Sequence, residues 1–288
     1  MPHRLRIVSL LRPSGWIKNL VIVVGALSAP TTLYGAVVRS LVLAITAFCA
    51  ASSAGYILND LCDIESDRAD PTRRARPLAA NLITKEVAGV VCVGLAITAL
   101  VLSARARPLF VCVSAYLALV VAYSLYLKRL RSVGILTLMT GFLLRLEAGV
   151  NGGDGRRVPT LYSAVALTII CLAVSKRTRN QSQQENVPGA RNAPVASASF
   201  LRRVSLGAGC GALIALVLYT FTAAPSLLRS TMPMSLPVTA IGFWRFVYLA
   251  QGQRFDADPT SAIVHDRVLR ALVVAWVGGL VVFLFMHP

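Results

Sequence analysis

Apolar residues run along this chain in long blocks, separated by short polar stretches rich in arginine, lysine and proline. A helix needs about 20 such residues to cross the hydrocarbon core of a bilayer. The pattern predicts membrane helices near 17–35, 41–61, 86–103, 109–126, 132–150, 160–175, 204–223, 234–250 and 269–286. The first block is followed by many more, so it reads as a first membrane helix and not as a processed leader. The eighth is the least regular, because Pro237 and Arg245 interrupt it. No block is left over for a soluble domain and no internal repeat is visible, so residues 1–288 read as one transmembrane domain. Gln181 to Pro194 is polar and contains proline and glycine, which predicts a mobile loop.

Composition agrees with this reading. The chain is 56% hydrophobic and 14% charged, against roughly 45–50% and about 25% in soluble domains. A soluble fold, a disordered chain and a secreted disulfide scaffold are thereby excluded. The formal net charge of +17 belongs to a membrane surface rather than to a nucleic-acid partner. The six cysteines lie in or beside apolar runs and form no C-x-x-C pair, so buried free thiols are expected.

Charge also orients the chain. With the N-terminus cytoplasmic, only Arg39, Arg105, Arg107, Arg156, Arg157 and Arg229 fall outside, while the other loop arginines and lysines fall inside. That bias predicts N-terminus in and C-terminus out. The acids follow the basic residues to the inner face, apart from Asp154 outside and Glu147 within a span. Acidic residues contribute little to topology, so their clustering needs a chemical reason.

That reason is concentrated in Tyr56-Ile57-Leu58-Asn59-Asp60-Leu61-Cys62-Asp63-Ile64-Glu65-Ser66-Asp67. Asn59, Asp63 and Asp67 recur every four residues and form one stripe on a helix, with Asp60 beside it. Hard oxygen ligands of this kind suit Mg²⁺, which keeps several waters and bridges to phosphate oxygens. A basic run follows, with Arg73, Arg74 and Arg76. Guanidinium forks beside a metal-binding stripe are what a diphosphate needs. A solvated acidic helix end accounts for neither Asn59 in register nor the adjoining arginines.

Asn-Asp-x-x-Asp-x-x-x-Asp at Asn59–Asp67, then Arg76-Pro77-Leu78, resembles the first signature of the UbiA-type intramembrane prenyltransferase superfamily. The opening Arg12-Pro13-x-x-Trp16-x-Lys18-Asn19 is similar to the N-terminal entry of that superfamily. The resemblance covers the whole chain. It implies an all-α polytopic membrane protein, a nine-transmembrane-helix UbiA-like bundle around a central cavity open to the cytoplasmic face, with a Mg²⁺-diphosphate at its polar mouth. The expected location is the plasma membrane.

One departure selects a branch. Typical members carry a second Asp-rich motif after the sixth span, where this chain has Ser175-Lys176-Arg177-Thr178-Arg179-Asn180-Gln181 and no aspartate between Asp154 and Asp256. This basic replacement resembles the decaprenyl-phosphate phosphoribosyltransferase branch, as do Tyr123-x-x-x-x-Lys128 and Asp266-Arg267-Val268-Leu269. The resemblance implies 5-phosphoribosyl diphosphate as donor, a polyprenyl phosphate as acceptor, and a lipid-linked product for arabinogalactan in the cell wall. It assigns Asn59, Asp60, Asp63 and Asp67 to Mg²⁺, with Asn59, Asp63 and Asp67 central to catalysis. Lys18, Tyr56, Arg73 and Arg76 are assigned to the diphosphate and ribose. Lys128, Lys176 and Arg177 are assigned to the donor 5-phosphate or the acceptor phosphate. Direct displacement with inversion at the anomeric carbon is expected, without nucleophilic catalysis by Cys62.

Two other readings compete. One is prenyl transfer from a prenyl diphosphate to an aromatic acceptor, which calls for the missing second motif. The other is an anion transporter, which would place charge at the bilayer midplane. Arg145 and Glu147 do lie within a span, each expected to pair with another helix. Asp256 and Asp258 suit either a looser metal or ribose site or a turn before Pro259. Asp266 and Arg267 are expected to form a local salt bridge. A homo-oligomer is compatible with this pattern.

Overall fold

The computed structural model describes residues 8–26, 28, 35–130, 133–153, 155–185, 197–224, 232–251 and 266–286. Every regular element among them is helical. They are α1 (Leu20–Ala26), α2 (Gly35–Cys62), α3 (Ile64–Ala69), α4 (Lys85–Ser103), α5 (Arg107–Leu125), α6 (Val133–Gly152), α7 (Pro159–Glu185), α8 (Ala198–Leu218), α9 (Met232–Gln251) and α10 (Arg267–Met286). Among the described residues α2, α4, α5, α6, α7 and α8 with its following π-turn are long and apolar enough to cross a membrane. A shorter apolar stretch, Leu236–Leu249, lies in α9. The molecule is a multi-pass membrane protein, and the chain forms two compact units, Met1–Arg156 and Arg157–Pro288.

In the first unit α2 is the central helix, packed against α4, α5 and α6. Small residues make this possible. Ala44, Ala47, Ala51 and Ala54 are buried on it, and Phe48 fills the space toward Tyr116 of α5. By contrast α4 exposes Val90, Val93, Ile97 and Val101, an apolar face suited to lipid. The N-terminus of α4 is capped by Thr84, whose hydroxyl accepts the Val87 N–H. Helices α1 and α6 meet backbone to backbone. A Cβ on Gly149 would lie 1.9 Å from the Ile22 carbonyl oxygen, and one on Gly25 would lie 2.3 Å from that of Leu146. Glycine at both positions lets the two helices touch.

The second unit is built on the pairing of α7 with α8. Ser175 and Ser205 form a buried polar seam there, their hydroxyls 2.6 Å apart. Helix α9 packs on α7, α8 and α10.

Several expectations need correction. The first expected span does not begin as a regular α-helix. It starts with a 3-10 turn, Pro13–Asn19, and α1 adds only seven residues. Trp16 donates to Ser53 Oγ and Ser53 donates to the Leu11 carbonyl, so this segment is tied to α2. The remainder of that span, Leu27 and 29–34, falls outside the described residues. Helix α7 continues past the expected end at 175 to Glu185, so the start of the expected loop is helical. Residues 186–196 fall outside the description, as do Asp154, Asp256, Asp258 and the three histidines. Helix α9 passes through Pro237 and Arg245 unbroken. Asp266 pairs with Arg245 and not with Arg267, at 2.8 Å, and accepts the Leu269 N–H. The cysteines are free, yet Cys62 and Cys210 are exposed.

Candidate functional site

The acidic segment is helical on both sides of a break. Helix α2 ends at Cys62, Asp63 takes φ −109° and ψ 10°, and α3 begins at Ile64. The break keeps the four-residue register, because Asp63 N–H donates to the Asn59 carbonyl at 3.0 Å and Asp67 N–H to that of Asp63 at 2.8 Å. The expected spacing therefore survives, but the carboxylates do not converge on one point. Asp60 and Asp67 are buried, at 2% and 1% exposure, and share an arginine cluster. Asp63 is half-buried and accepts from Lys128 Nζ.

The loop after α3 supplies two of the cations. Asp70 accepts from the Thr72 hydroxyl at 2.7 Å and the Thr72 N–H at 2.8 Å, a local turn that Asp favours. These bonds, with Arg73 beside it, hold the Asp70 carboxyl below the usual carboxylate range. Arg68 pins the far side of the loop through the Ala79 carbonyl and Asn81 Oδ1. Asn81 itself adopts φ 55°, a left-handed conformation that Asn tolerates better than most residues. The loop folds back so that Arg76 Nη1 lies 2.6 Å from Asp67 Oδ2 and 3.3 Å from Asp60 Oδ1. Arg73 Nη1 lies 3.8 Å from Asp67 Oδ1.

A further cation comes from the N-terminal segment. Arg12 Nη2 lies 2.6 and 2.7 Å from the two Asp60 oxygens, and its guanidinium stands 5.5 Å over the Tyr56 ring. Its backbone is left-handed, φ 50° and ψ 61°, which is costly for a residue with a Cβ. Gly15 lies close by, where a Cβ would meet the Tyr56 hydroxyl at 2.6 Å. The sequence motif Arg12-Pro13-x-x-Trp16 marked this segment, but Arg12 was not among the expected site residues. Its role depends on a partner 48 residues away.

Asn59, Asp60, Asp63, Asp67, Tyr56, Arg73, Arg76 and Lys128 thus gather in the first unit. Lys18 lies on the 3-10 turn next to Asn19. Lys176 and Arg177 lie on α7 in the second unit, the former exposed and the latter half-buried. Among the described residues no three acidic, histidine or cysteine side chains form a ready metal cage. Among the described residues five buried side-chain oxygens lack a hydrogen bond, and the one that belongs to an acid is Asp67 Oδ1. Mg²⁺ is usually held by one or two carboxylates plus waters and phosphate oxygens and does not need a protein cage. Asp67 Oδ1 offers such an ion one hard-oxygen donor, whereas Asp60 is held by Arg12 and Asp63 by Lys128, so those two would exchange a cation for the metal.

A second polar centre lies deeper in the same unit. Arg145 of α6 is 4% exposed. It donates to Asn19 Oδ1 at 2.8 Å, Ser52 Oγ at 2.9 Å, Tyr116 OH at 3.0 Å and the Gly141 carbonyl at 2.8 Å. Its guanidinium is 4.4 Å from the Tyr116 ring centre. The expectation of a partner on another helix holds, but the partners are neutral oxygens. Glu147 accepts from Asn151 within its own helix.

These features, a helical membrane bundle with an aspartate-rich helix end clasped by arginines, define a class. The chain belongs to the UbiA prenyltransferase family, whose model matches residues 19–265. Among its relatives is a decaprenyl-phosphate phosphoribosyltransferase of Mycolicibacterium smegmatis, 28% identical over 94% of this chain and 90% of the relative. Another of the same name, from Corynebacterium glutamicum, is 25% identical over 98% of this chain and 87% of its own length. The fold is similar to that of a UbiA homologue from Archaeoglobus fulgidus bound to GPP and Mg²⁺, with a TM-score of 0.72 and 16% identity over 98% of both chains.

Proposed function

We propose that this protein transfers a 5-phosphoribosyl group from 5-phosphoribosyl diphosphate to a polyprenyl phosphate, releasing diphosphate. The observation that carries this reading is the gathering of Arg12, Arg73, Arg76 and Lys128 around Asp60, Asp63 and Asp67. With Asp70, 3.3 Å from Arg73, the four cations are balanced by four carboxylates, and a bound Mg²⁺ would leave the site positive toward phosphate oxygens. The names of the relatives and the basic Lys176-Arg177 in place of a second acidic motif favour a donor that carries a further phosphate group besides its diphosphate. Arabinogalactan precursor synthesis is the corresponding cell-wall role. A single nine-span domain in the plasma membrane, with the N-terminus and site cytoplasmic, completes the reading.

The chemistry follows from charge. An oxygen of the acceptor phosphate, already an anion, attacks the anomeric carbon. The C–O bond to diphosphate breaks and diphosphate leaves with the electron pair, so no general base is required. Bound Mg²⁺ would stabilise charge on the leaving diphosphate. Asn59, Asp63 and Asp67 would hold it, with Asp60 contributing directly or through water. Arg73 and Arg76 have N–H groups beyond those used on Asp67 and hold diphosphate oxygens. Tyr56 and Lys18 orient the donor. Lys128, Lys176 and Arg177 hold the 5-phosphate or the acceptor phosphate, and positioning aims the nucleophile. Displacement on one face gives inversion.

The test is transfer in detergent or nanodiscs with labelled 5-phosphoribosyl diphosphate, decaprenyl phosphate and Mg²⁺. A lipid-extractable phosphoribose product is expected, lost on chelation and in Asp63→Ala, with that variant still monodisperse by gel filtration. Prenylation of an aromatic acid from geranyl diphosphate, with no lipid-linked phosphoribose, would overturn the proposal in favour of aromatic prenyl transfer.

A further inference from the structure

The second unit carries a surface groove that the transfer chemistry does not use. Between α8 and α9 a cavity of about 400 Å³ is walled by Leu206, Gly209, Leu213, Ile241, Phe243 and Trp244. None of its lining residues is charged. Gly209 shapes it: a Cβ there would lie 2.2 Å from a Phe243 ring carbon, so Phe243 rests on the α8 backbone. The outer wall is open, with Ile241 54% and Trp244 71% exposed. From Leu206 to Leu213 the groove follows about 10 Å of helix, a length that suits the first isoprene units of a lipid.

Bare apolar surface on a membrane protein needs only bulk lipid to cover it. This groove has charge at one end. Arg202 and Arg203 precede Leu206 by four and three residues, which places them on the face that Leu206, Gly209, Cys210 and Leu213 present to the groove. Both are exposed, and among the described residues neither is held in an ion pair. A double positive charge heading an apolar trough complements an amphiphile with an anionic head and a linear chain of isoprene units.

We propose that this groove is an entry docking site for the acceptor polyprenyl phosphate, which rests its phosphate on Arg202 and Arg203 before it reaches the transfer site, with its first isoprene units between α8 and α9. The proposal rests on the acceptor assigned above. Arginines at a membrane surface attract anionic lipid by about fivefold in affinity each. The double variant Arg202→Gln/Arg203→Gln should therefore lose roughly 25-fold in affinity for the phosphate head.

The test uses the full chain in phosphatidylcholine nanodiscs and a polyprenyl phosphate carrying a diazirine in its first isoprene unit. After photolysis, adducts are mapped by mass spectrometry. Labelling of Leu206–Leu213 and Ala240–Val247 is expected, with competition by unlabelled polyprenyl phosphate but not by polyprenol or equimolar phosphatidylglycerol. The double variant and Cys210→Phe, which fills the groove from an exposed position, should both lose the labelling. Both should also raise KM for the acceptor while leaving kcat and the donor KM unchanged. Equal displacement by phosphatidylglycerol would reduce the groove to ordinary lipid-facing surface and overturn the proposal. Labelling confined to other segments, in wild-type protein that transfers normally, would overturn the docking site alone. Wild-type protein that neither labels nor transfers would remove the acceptor assignment and the docking site together.

Discussion

Gly149→Ala is the sharpest test of how α1 is held against the bundle. The added Cβ would lie 1.9 Å from the Ile22 carbonyl oxygen, and real Cβ contacts are essentially never closer than 3.0 Å. The two helices must therefore separate locally by about 1.1 Å. Both parties are backbone or fixed to it, so no side chain can rotate away. Overpacking of this kind costs about 1–3 kcal/mol and occasionally more; the rigid partners place this site near ~3 kcal/mol. Moving α1 also draws on Asn19, which immediately precedes it and is held by Arg145. In a fluorescence-detected melt in detergent, an apparent Tm about 6–10 °C below wild type is expected. Gly94→Ala is the control. No atom lies within 4 Å of its Cβ position, and alanine favours a helix over glycine by about 1 kcal/mol, so its Tm should match or exceed wild type. If Gly149→Ala melts within about 2 °C of wild type, the helix contact is not as tight as described and the argument fails.

Two other perturbations read different interactions. Arg145→Met leaves Asn19 Oδ1, Ser52 and Tyr116 without the guanidinium and should cost about 1–3 kcal/mol for each buried polar group left unsatisfied, seen as a lower Tm that Arg145→Lys restores only in part because an ammonium lacks the fork. Arg245 and the Leu269 N–H hold the Asp266 carboxyl below its usual range. That stabilisation is fully present above the unfolded value near pH 3.9 and is lost as pH falls through the depressed folded value. Asp266→Asn should therefore melt lower than wild type at pH 7, with the difference closing on acidification below about pH 4.

Hydropathy alone located nearly every helix here, because crossing a bilayer demands a continuous apolar run whatever its neighbours are. The acidic stripe was equally legible, since Asn59, Asp63 and Asp67 keep a local spacing. Partner choice was not. Arg12 meets Asp60 across 48 residues and Lys128 meets Asp63 across 65, and nothing local encodes either distance. The start of α1 was missed for a related reason: an apolar sequence reads as lipid-facing helix, but bonds from Trp16 and Ser53 tie this segment to α2. Arg245 looked like an interruption in α9 because its acid, Asp266, belongs to the next helix.

The neutral oxygens around Arg145 have a consequence for how the chain is made. A guanidinium entering the bilayer without partners is expensive, by several kcal/mol on insertion scales. Asn19, Ser52 and Tyr116 all precede Arg145 in the chain. During vectorial synthesis each acceptor leaves the ribosome before the arginine that needs it, so no partner still awaits synthesis when the cation arrives.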